Sequence, residues 1–132
     1  MAIRTVSVEI DAPAERVFSF LSNIENLPTW AIEFCRELKK ENGKYKLVSC
    51  DPAVGEIFFA IEADPRTGVI DMFAGPDEEQ MGTFPTRVVS LPGDRSAYVF
   101  TMTQAPGMPA ELFEAQYESL QRELEHLQTL FG

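Results

Sequence analysis

The C-terminal segment carries an apolar seam that constrains the fold more than any other feature of the chain. Its apolar residues recur at alternating steps of four and three residues: Phe113, Tyr117, Leu120, Leu124, Leu127 and Phe131. This spacing places them on one face of an α-helix that is about five turns long. A helix of this kind is stable only when it buries its seam, so the rest of the chain must supply an apolar surface of matching length.

The rest of the chain predicts antiparallel strands. Residues 3–10, "IRTVSVEI", alternate apolar and polar side chains in the manner of a half-buried strand. Two short helical segments follow, "DAPAERVFSFLSN" and "IENLPTWAIEF". Six further strands are then predicted around the turns "NG", "DPRT" and "PGDR". The chain lacks the strand–helix–strand rhythm of a parallel sheet.

These elements predict an α+β fold. A twisted, seven-stranded antiparallel sheet and one long amphipathic helix must bury their apolar faces on each other. We therefore expect a curved sheet, two short helices after its first strand, and the long C-terminal helix packed across the concave face. Such a curved sheet rarely fills its interior completely, so we also expect an elongated apolar cavity, which is the usual form of a small-molecule site.

The chain resembles the START-like superfamily, which includes polyketide cyclases and Bet v 1-like and lipid-transfer proteins. The resemblance rests on "VSVEIDAPAERVFSFLSNIENLPTW", with its Ala-Pro helix start and its Pro-x-Trp end, and on "GVID" and "TRVVSLPGDRSAYVFT". It covers nearly the whole chain and implies the helix-grip fold, with a single ligand-binding domain over residues 1–132. Members include carriers, cyclases, ubiquinone-binding proteins and co-chaperones, so the resemblance implies no particular catalytic residues.

The net charge bears on the partners of the protein. Eleven basic against 21 acidic residues give a formal charge of −10, which repels phosphate backbones and anionic lipid headgroups. No apolar run approaches the roughly 18 residues of a membrane span, and the N-terminal segment has no long apolar signal region. We expect a cytoplasmic monomer or homodimer that binds a small hydrophobic molecule, with no nucleic-acid partner and no membrane insertion.

The two cysteines, Cys35 and Cys50, are too few for a zinc site even with the single His126, and we expect no metal and no other cofactor. If Asn42 and Gly43 form a two-residue hairpin turn, Cys35 lies opposite Cys50 on the outer face of the sheet. That position permits a disulfide. A reducing cytoplasm favours two free thiols instead.

Strand parity and the helical seam predict which side chains line the cavity. The predicted ligand-binding residues are Trp30, Phe59, Ile61, Met72, Arg87, Tyr98, Phe100, Met102, Phe113, Tyr117 and Leu120. Core packing is the competing interpretation for the apolar members of this set, above all for Trp30 at the junction of helix and strand.

Asp71 lies in the middle of the apolar strand "TGVIDMFAG". A four-residue loop that ends with Gly68 in a left-handed conformation pairs Asp64 with Val69. Asp71 then lies opposite Glu62 on the outer face. A five-residue loop would turn the carboxylate into the cavity, so the sequence favours the outer face and leaves both arrangements open.

Arg87 is the most promising polar residue of the predicted cavity. With Gly93 and Asp94 at the centre of the turn, Arg87 lies opposite Phe100 and faces inward. A buried guanidinium needs a partner, and it could hold a ligand carboxylate or enolate in bidentate fashion. An internal salt bridge, or a side chain that reaches the rim of the cavity, is the structural alternative.

Three functions suit this fold. Binding or transport of a lipid, quinone or aromatic polyketide-like molecule needs only a cavity and a polar anchor. A polyketide cyclase or dehydratase also needs a positioned acid or base, for which Asp71 and Tyr117 are the candidates, with Arg87 beside an oxyanion. A co-chaperone-like module needs an exposed apolar patch, to which Phe58 and Phe73 could contribute. We favour ligand binding, because neither the lone histidine nor the cysteines suit acid–base chemistry.

Overall fold

The computed structural model describes residues 1–132 and confirms the predicted α+β architecture. The strands are β1 (Ile3–Ile10), β2 (Cys35–Glu41), β3 (Lys44–Ser49), β4 (Glu56–Asp64), β5 (Val69–Gly75), β6 (Gly82–Leu91) and β7 (Arg95–Thr103). The helices are α1 (Ala14–Ser22), α2 (Leu27–Trp30) and α3 (Ala110–Phe131), with one 3-10 turn at Ile24–Asn26. None of the helices combines the length and the apolar character that crossing a membrane requires.

The sheet is a meander to which the first strand adds an edge. Strands β2 to β7 pair in chain order and β1 pairs with β7, so the order across the sheet is β1-β7-β6-β5-β4-β3-β2. All of these pairs are antiparallel. β1 and β2 therefore lie at opposite edges, and α1 and α2 form the connection between them.

The apolar seam of α3 is buried on the concave face of the sheet, as its spacing predicts. Its buried members belong to one core cluster with inward-facing strand residues: Phe113, Leu120, Leu124 and Leu127 from the helix, and Phe59, Phe100 and Met102 from the sheet. Burial of these side chains is the main attraction between the helix and the sheet.

Polar contacts fasten α3 to the edge strand β1. An Nη of Arg4 lies 2.8 Å from Oε1 of Glu114, and its guanidinium stands over the ring of Tyr117, 5.5 Å from the ring centroid. Further along, Nε2 of Gln128 donates a hydrogen bond of 2.7 Å to the carbonyl oxygen of Glu9. These bonds set the position of the helix along β1.

The loop between β4 and β5 has the predicted form. Asp64 pairs with Val69, and Gly68 ends the loop with a φ of 81°. A Cβ atom at this position would clash with the carbonyl oxygen of Val88. Only glycine satisfies both the left-handed backbone and this close approach.

The predicted position of Cys35 is wrong. The hairpin turn has the expected register, but a β-bulge leaves Arg36 unpaired, so Cys35 pairs with Ser49 and not with Cys50. One extra residue in a strand reverses the faces of the side chains beyond it. Cys35 is therefore buried in the core instead of lying on the outer face, whereas Cys50 is exposed, and both are free thiols.

Only Cys50 should react with a thiol reagent in the native protein. Burial raises the pKa of the Cys35 thiol to about 11, which keeps this group in its unreactive protonated form. A disulfide-exchange reagent should label one thiol before denaturation and two after it. Cys50→Ser should abolish the native reaction; two rapidly reacting thiols in the native wild type would contradict the burial of Cys35.

Candidate ligand-binding cavity

A cavity of about 240 Å³ lies between the concave face of the sheet, α3 and the segment that follows α2. Twelve of its 18 lining residues are hydrophobic. The volume is slightly below the ~300–1,000 Å³ of common ligand pockets, so the space suits a small molecule. Two lining residues, Val54 and Leu112, are 48% and 45% exposed. They mark the opening to solvent between the β3–β4 loop and the start of α3.

Six of the predicted ligand-binding residues line this cavity: Trp30, Phe59, Met72, Phe100, Met102 and Leu120. Trp30 is buried, and its indole packs edge-on against the ring of Tyr98, with ring centroids 6.1 Å apart. Trp30 therefore belongs to both the core and the cavity wall, so the two interpretations of this residue are compatible.

Four other predicted residues belong to the core or pack against it, and do not line this cavity. Tyr98 and Phe113 are buried in the core, whereas Ile61 and Tyr117 are half-buried at its margin. The Tyr117 hydroxyl accepts a 3.3 Å hydrogen bond from Nε2 of Gln121. The buried hydroxyl of Tyr98 has no hydrogen-bond partner, and burial raises the pKa of this phenol above its usual value.

The predicted orientation of Arg87 is wrong. Three residues, 92–94, separate β6 from β7 instead of two, so Arg87 pairs with Val99 and not with Phe100. A shift of one residue turns the side chains of the strand to the opposite face. The exposed Arg87 lies on the outer face, where its Nε donates a 3.0 Å hydrogen bond to the carbonyl oxygen of Thr67.

Thr86 takes the inward position instead. Its buried Oγ1 donates a 2.6 Å hydrogen bond to the carbonyl oxygen of Ile70. None of the residues that line the cavity is Lys, Arg or His. No group of three or more His, Cys, Asp or Glu side chains is arranged to hold a metal ion.

Asp71 lies on the outer face, in the arrangement that the four-residue loop implies. It pairs with Glu62, and its strand neighbours Ile70 and Met72 are buried on the concave side. Asp71 and Arg87 therefore lie outside the cavity, and Tyr117 packs against the core without lining the cavity. The structure does not bring the three residues together into one site.

The cavity wall contains a buried carboxyl group that the sequence pattern did not predict. Glu123 of α3 lines the cavity and is only 5% exposed. Its Oε2 accepts hydrogen bonds from the backbone N–H groups of Glu33 and Phe34, each over 3.1 Å. Oε1 of Glu123 accepts no hydrogen bond from the protein. One oxygen therefore fixes the carboxyl group, and the other is available to a ligand.

Burial raises the pKa of Glu123 to about 7. Loss of solvent is the largest cause, and the nearby Glu33 carboxylate adds to it. The two backbone hydrogen bonds and the charge of Arg122 act in the opposite direction without cancelling the effect of burial. At neutral pH the group is divided between the acid and the carboxylate, so it can both donate and accept hydrogen bonds in an apolar space.

The Glu33 carboxylate at the same wall is already paired. Arg122 donates two hydrogen bonds of 2.8 Å to its two oxygens, and Oγ of Ser119 donates a third over 2.9 Å. These bonds, above all those from Arg122, hold the pKa of Glu33 below its usual value. The pairing fastens the segment after α2 to α3 and leaves Glu123 as the buried carboxyl group without a side-chain partner.

A partial signal for Glu123 is present in the sequence. It follows Leu120 by three residues and precedes Leu127 by four, so it lies beside the apolar seam on the same helix face. Acidic side chains next to a seam are usually solvated. Glu123 is buried because the segment after α2 lies over it, and this tertiary contact has no counterpart in the periodicity of α3.

The chain has the START-like, Bet v 1-like fold. It is similar to a START superfamily protein from Mycobacterium smegmatis, with a TM-score of 0.71, 18% identity and coverage of 98% of this chain and 96% of that one. It is also similar to the Zhui aromatase/cyclase from Streptomyces sp. R1128, with a TM-score of 0.64, 19% identity and coverage of 97% of this chain and 90% of that one. A third similar structure is the Aha1 dimer from Colwellia psychrerythraea, with a TM-score of 0.71, 13% identity and coverage of 99% of this chain and 96% of that one. No family model and no curated protein matches the sequence. Likeness at these identities shows the fold and leaves the function to the site.

Proposed function

We propose that residues 1–132 form one domain that binds or carries a small, largely apolar molecule between the sheet and α3. The observation that carries this proposal is the cavity, with its 240 Å³ and its mainly hydrophobic wall. A concave apolar space with a few polar groups is the usual form of a ligand site. The opening between Val54 and Leu112 supplies a route from solvent.

The two alternative functions have less support. A cyclase or dehydratase of the predicted kind needs an acid or base and an oxyanion partner in one place, and Asp71, Tyr117 and Arg87 do not meet in the cavity. A co-chaperone-like module needs an exposed apolar patch. Phe58 and Phe73 on the outer face are only partly exposed, and Nζ of Lys46 stands over the Phe58 ring, 4.8 Å from its centroid.

A neutral apolar probe should bind in the cavity. We expect 3-phenylpropanol to shift the fluorescence of Trp30 in a saturable manner, because Trp30 is the only tryptophan and lines the cavity. Calorimetry should give a stoichiometry of one. Binding should be accompanied by a negative heat-capacity change, the mark of apolar burial.

A matched pair of substitutions on α3 locates the probe. Leu120→Phe adds a ring to the cavity wall and should weaken binding of 3-phenylpropanol by about tenfold or more, since it fills the space. Leu130→Phe makes the same change at a partly exposed site outside the cavity and should leave binding unchanged. No saturable signal from the wild type, or equal effects of both variants, would overturn the proposal.

A further inference from the structure

The charged groups at the cavity wall are unbalanced. Three lining residues are acidic, Glu33, Asp51 and Glu123, and no lining residue is basic. Arg122 neutralises Glu33 through two hydrogen bonds. Asp51 is exposed, and its Oδ1 accepts a hydrogen bond from the backbone N–H of Ala53. Glu123 is thus the one buried acid whose charge no basic side chain contacts.

The geometry of Glu123 suits a donor from the ligand. The two backbone N–H groups of residues 33 and 34 hold Oε2, which fixes the carboxyl group in the cavity wall. Oε1 is left without a protein donor in a site that is only 5% exposed. An acceptor in such a desolvated site is best satisfied by a donor, and a charged donor forms the strongest bond with it.

We propose that the cavity selects an apolar molecule with a protonated amine at its polar end, and that Oε1 of Glu123 accepts the hydrogen bond from this ammonium group. The inference rests on the proposed function and adds the chemical class of the ligand. The proposed ligand charge is opposite to the one expected from an inward-facing Arg87, which would have favoured a carboxylate. The net charge of −10 attracts cations over long range and repels anions, in agreement with this selection.

An acid ligand meets the opposite conditions. Its carboxylate would lie beside Glu123 with no lysine, arginine or histidine in the lining to pair with, and two like charges in a desolvated space repel strongly. A neutral alcohol can donate one hydrogen bond to Oε1 but gains no charge attraction. The expected order of affinity is therefore amine, then alcohol, then carboxylate.

Three probes of similar shape test this order: 3-phenylpropylamine, 3-phenylpropanol and 3-phenylpropionate. Calorimetry at about pH 8, where Glu123 is largely ionised and the amine is protonated, should show the amine binding at least about tenfold more tightly than the alcohol, the ratio expected of a charge-assisted hydrogen bond. The carboxylate should bind more weakly than the alcohol.

Two substitutions assign the preference to one residue. Glu123→Gln keeps an acceptor for the backbone N–H groups and removes the charge, so it should lower the amine affinity about tenfold and change the alcohol affinity less than about threefold. Asp51→Asn removes the same charge from the exposed rim and should leave the preference for the amine intact. Thermal unfolding of each variant checks that the fold is retained.

The pH dependence gives a second measurement. Affinity for the amine should rise between about pH 5.5 and pH 8 as Glu123 ionises, and it should be flat in Glu123→Gln. Four charged or titratable groups lie near Glu123. They are Glu33, which precedes β2, Cys35 at the start of β2, Asp51 after β3, and Arg122 on α3. The variant retains all of them, and His126 as well, so the difference between the two profiles reports Glu123.

The outcomes separate the two proposals. If the alcohol binds and the amine shows no advantage, or if Glu123→Gln keeps the preference, the assignment of an amine is overturned while the binding function stands. If the carboxylate binds best, the assignment is likewise overturned. If none of the three probes binds, both the proposed function and the ligand class fail.

Discussion

Replacing Leu124 by alanine should lower the free energy of unfolding by about 3–5 kcal/mol. Leu124 lies in the middle of the seam of α3 and is 0% exposed. It does not line the cavity, so its removal creates a new void in close-packed surroundings, and the lost transfer energy and the cost of the void add together. Urea unfolding of the wild type and the variant measures the difference.

Two further leucines on the same helix serve as controls for this result. Leu130→Ala removes the same atoms from a position that is 38% exposed and should cost less than about 1 kcal/mol. Leu120→Ala enlarges an existing cavity and should fall between the two, at about 2 kcal/mol. Equal losses for Leu124 and Leu130 would show that the seam is not the buried face of α3.

Ionisation of Glu123 should destabilise the fold as the pH rises from about 4.5 to about 7. Burial raises the pKa of this group in the folded protein from its ordinary value of 4.5 to about 7, so the folded state favours the neutral acid. The neutral acid makes its full contribution to the free energy of unfolding below pH 4.5. This contribution is lost progressively up to about pH 7, and no further loss occurs above that pH. This pKa shift corresponds to a decrease of about 3 kcal/mol in the free energy of unfolding.

Comparison with Glu123→Gln isolates this effect from the repulsion among the other acidic groups. The difference in the free energy of unfolding between wild type and variant, measured in urea at four pH values across this range, should change by about 3 kcal/mol. Glu118→Gln removes an exposed charge from the same helix and should follow the wild-type profile. A constant difference between wild type and Glu123→Gln would mean that the carboxyl group is solvated.

The sequence predicts the fold well because its strongest patterns are local. The seam of α3 and the alternation in β1 depend on spacing alone, and the left-handed Gly68 fixes the β4–β5 register through the backbone. The predicted orientation of side chains is wrong where one additional residue changes the register between two strands. The three-residue β6–β7 loop turns Arg87 outward, and the bulge at Arg36 turns Cys35 inward.

The polar part of the candidate site was harder to predict because it depends on contacts between distant segments. Glu123 and the backbone it binds are 90 and 89 residues apart in the chain. Periodicity places Glu123 beside the seam, but only the packing of the segment after α2 removes it from solvent. The apolar part of the wall follows from strand parity, whereas the burial of a carboxyl group follows from tertiary structure.

The pairing of β1 with β7 has a consequence for folding during synthesis on the ribosome. The two strands pair along their whole length, from Ile3 with Thr103 to Ile10 with Ser96, and β1 is synthesised before β7, with five other strands between them in the chain. Long-range pairing of this kind slows folding. Until β7 has emerged, β1 lacks this partner, and other chains can pair with it through its free backbone edge and its one apolar face. The exposure of β1 to such pairing is therefore set by the order of synthesis and ends only when β7 is free to pair with it.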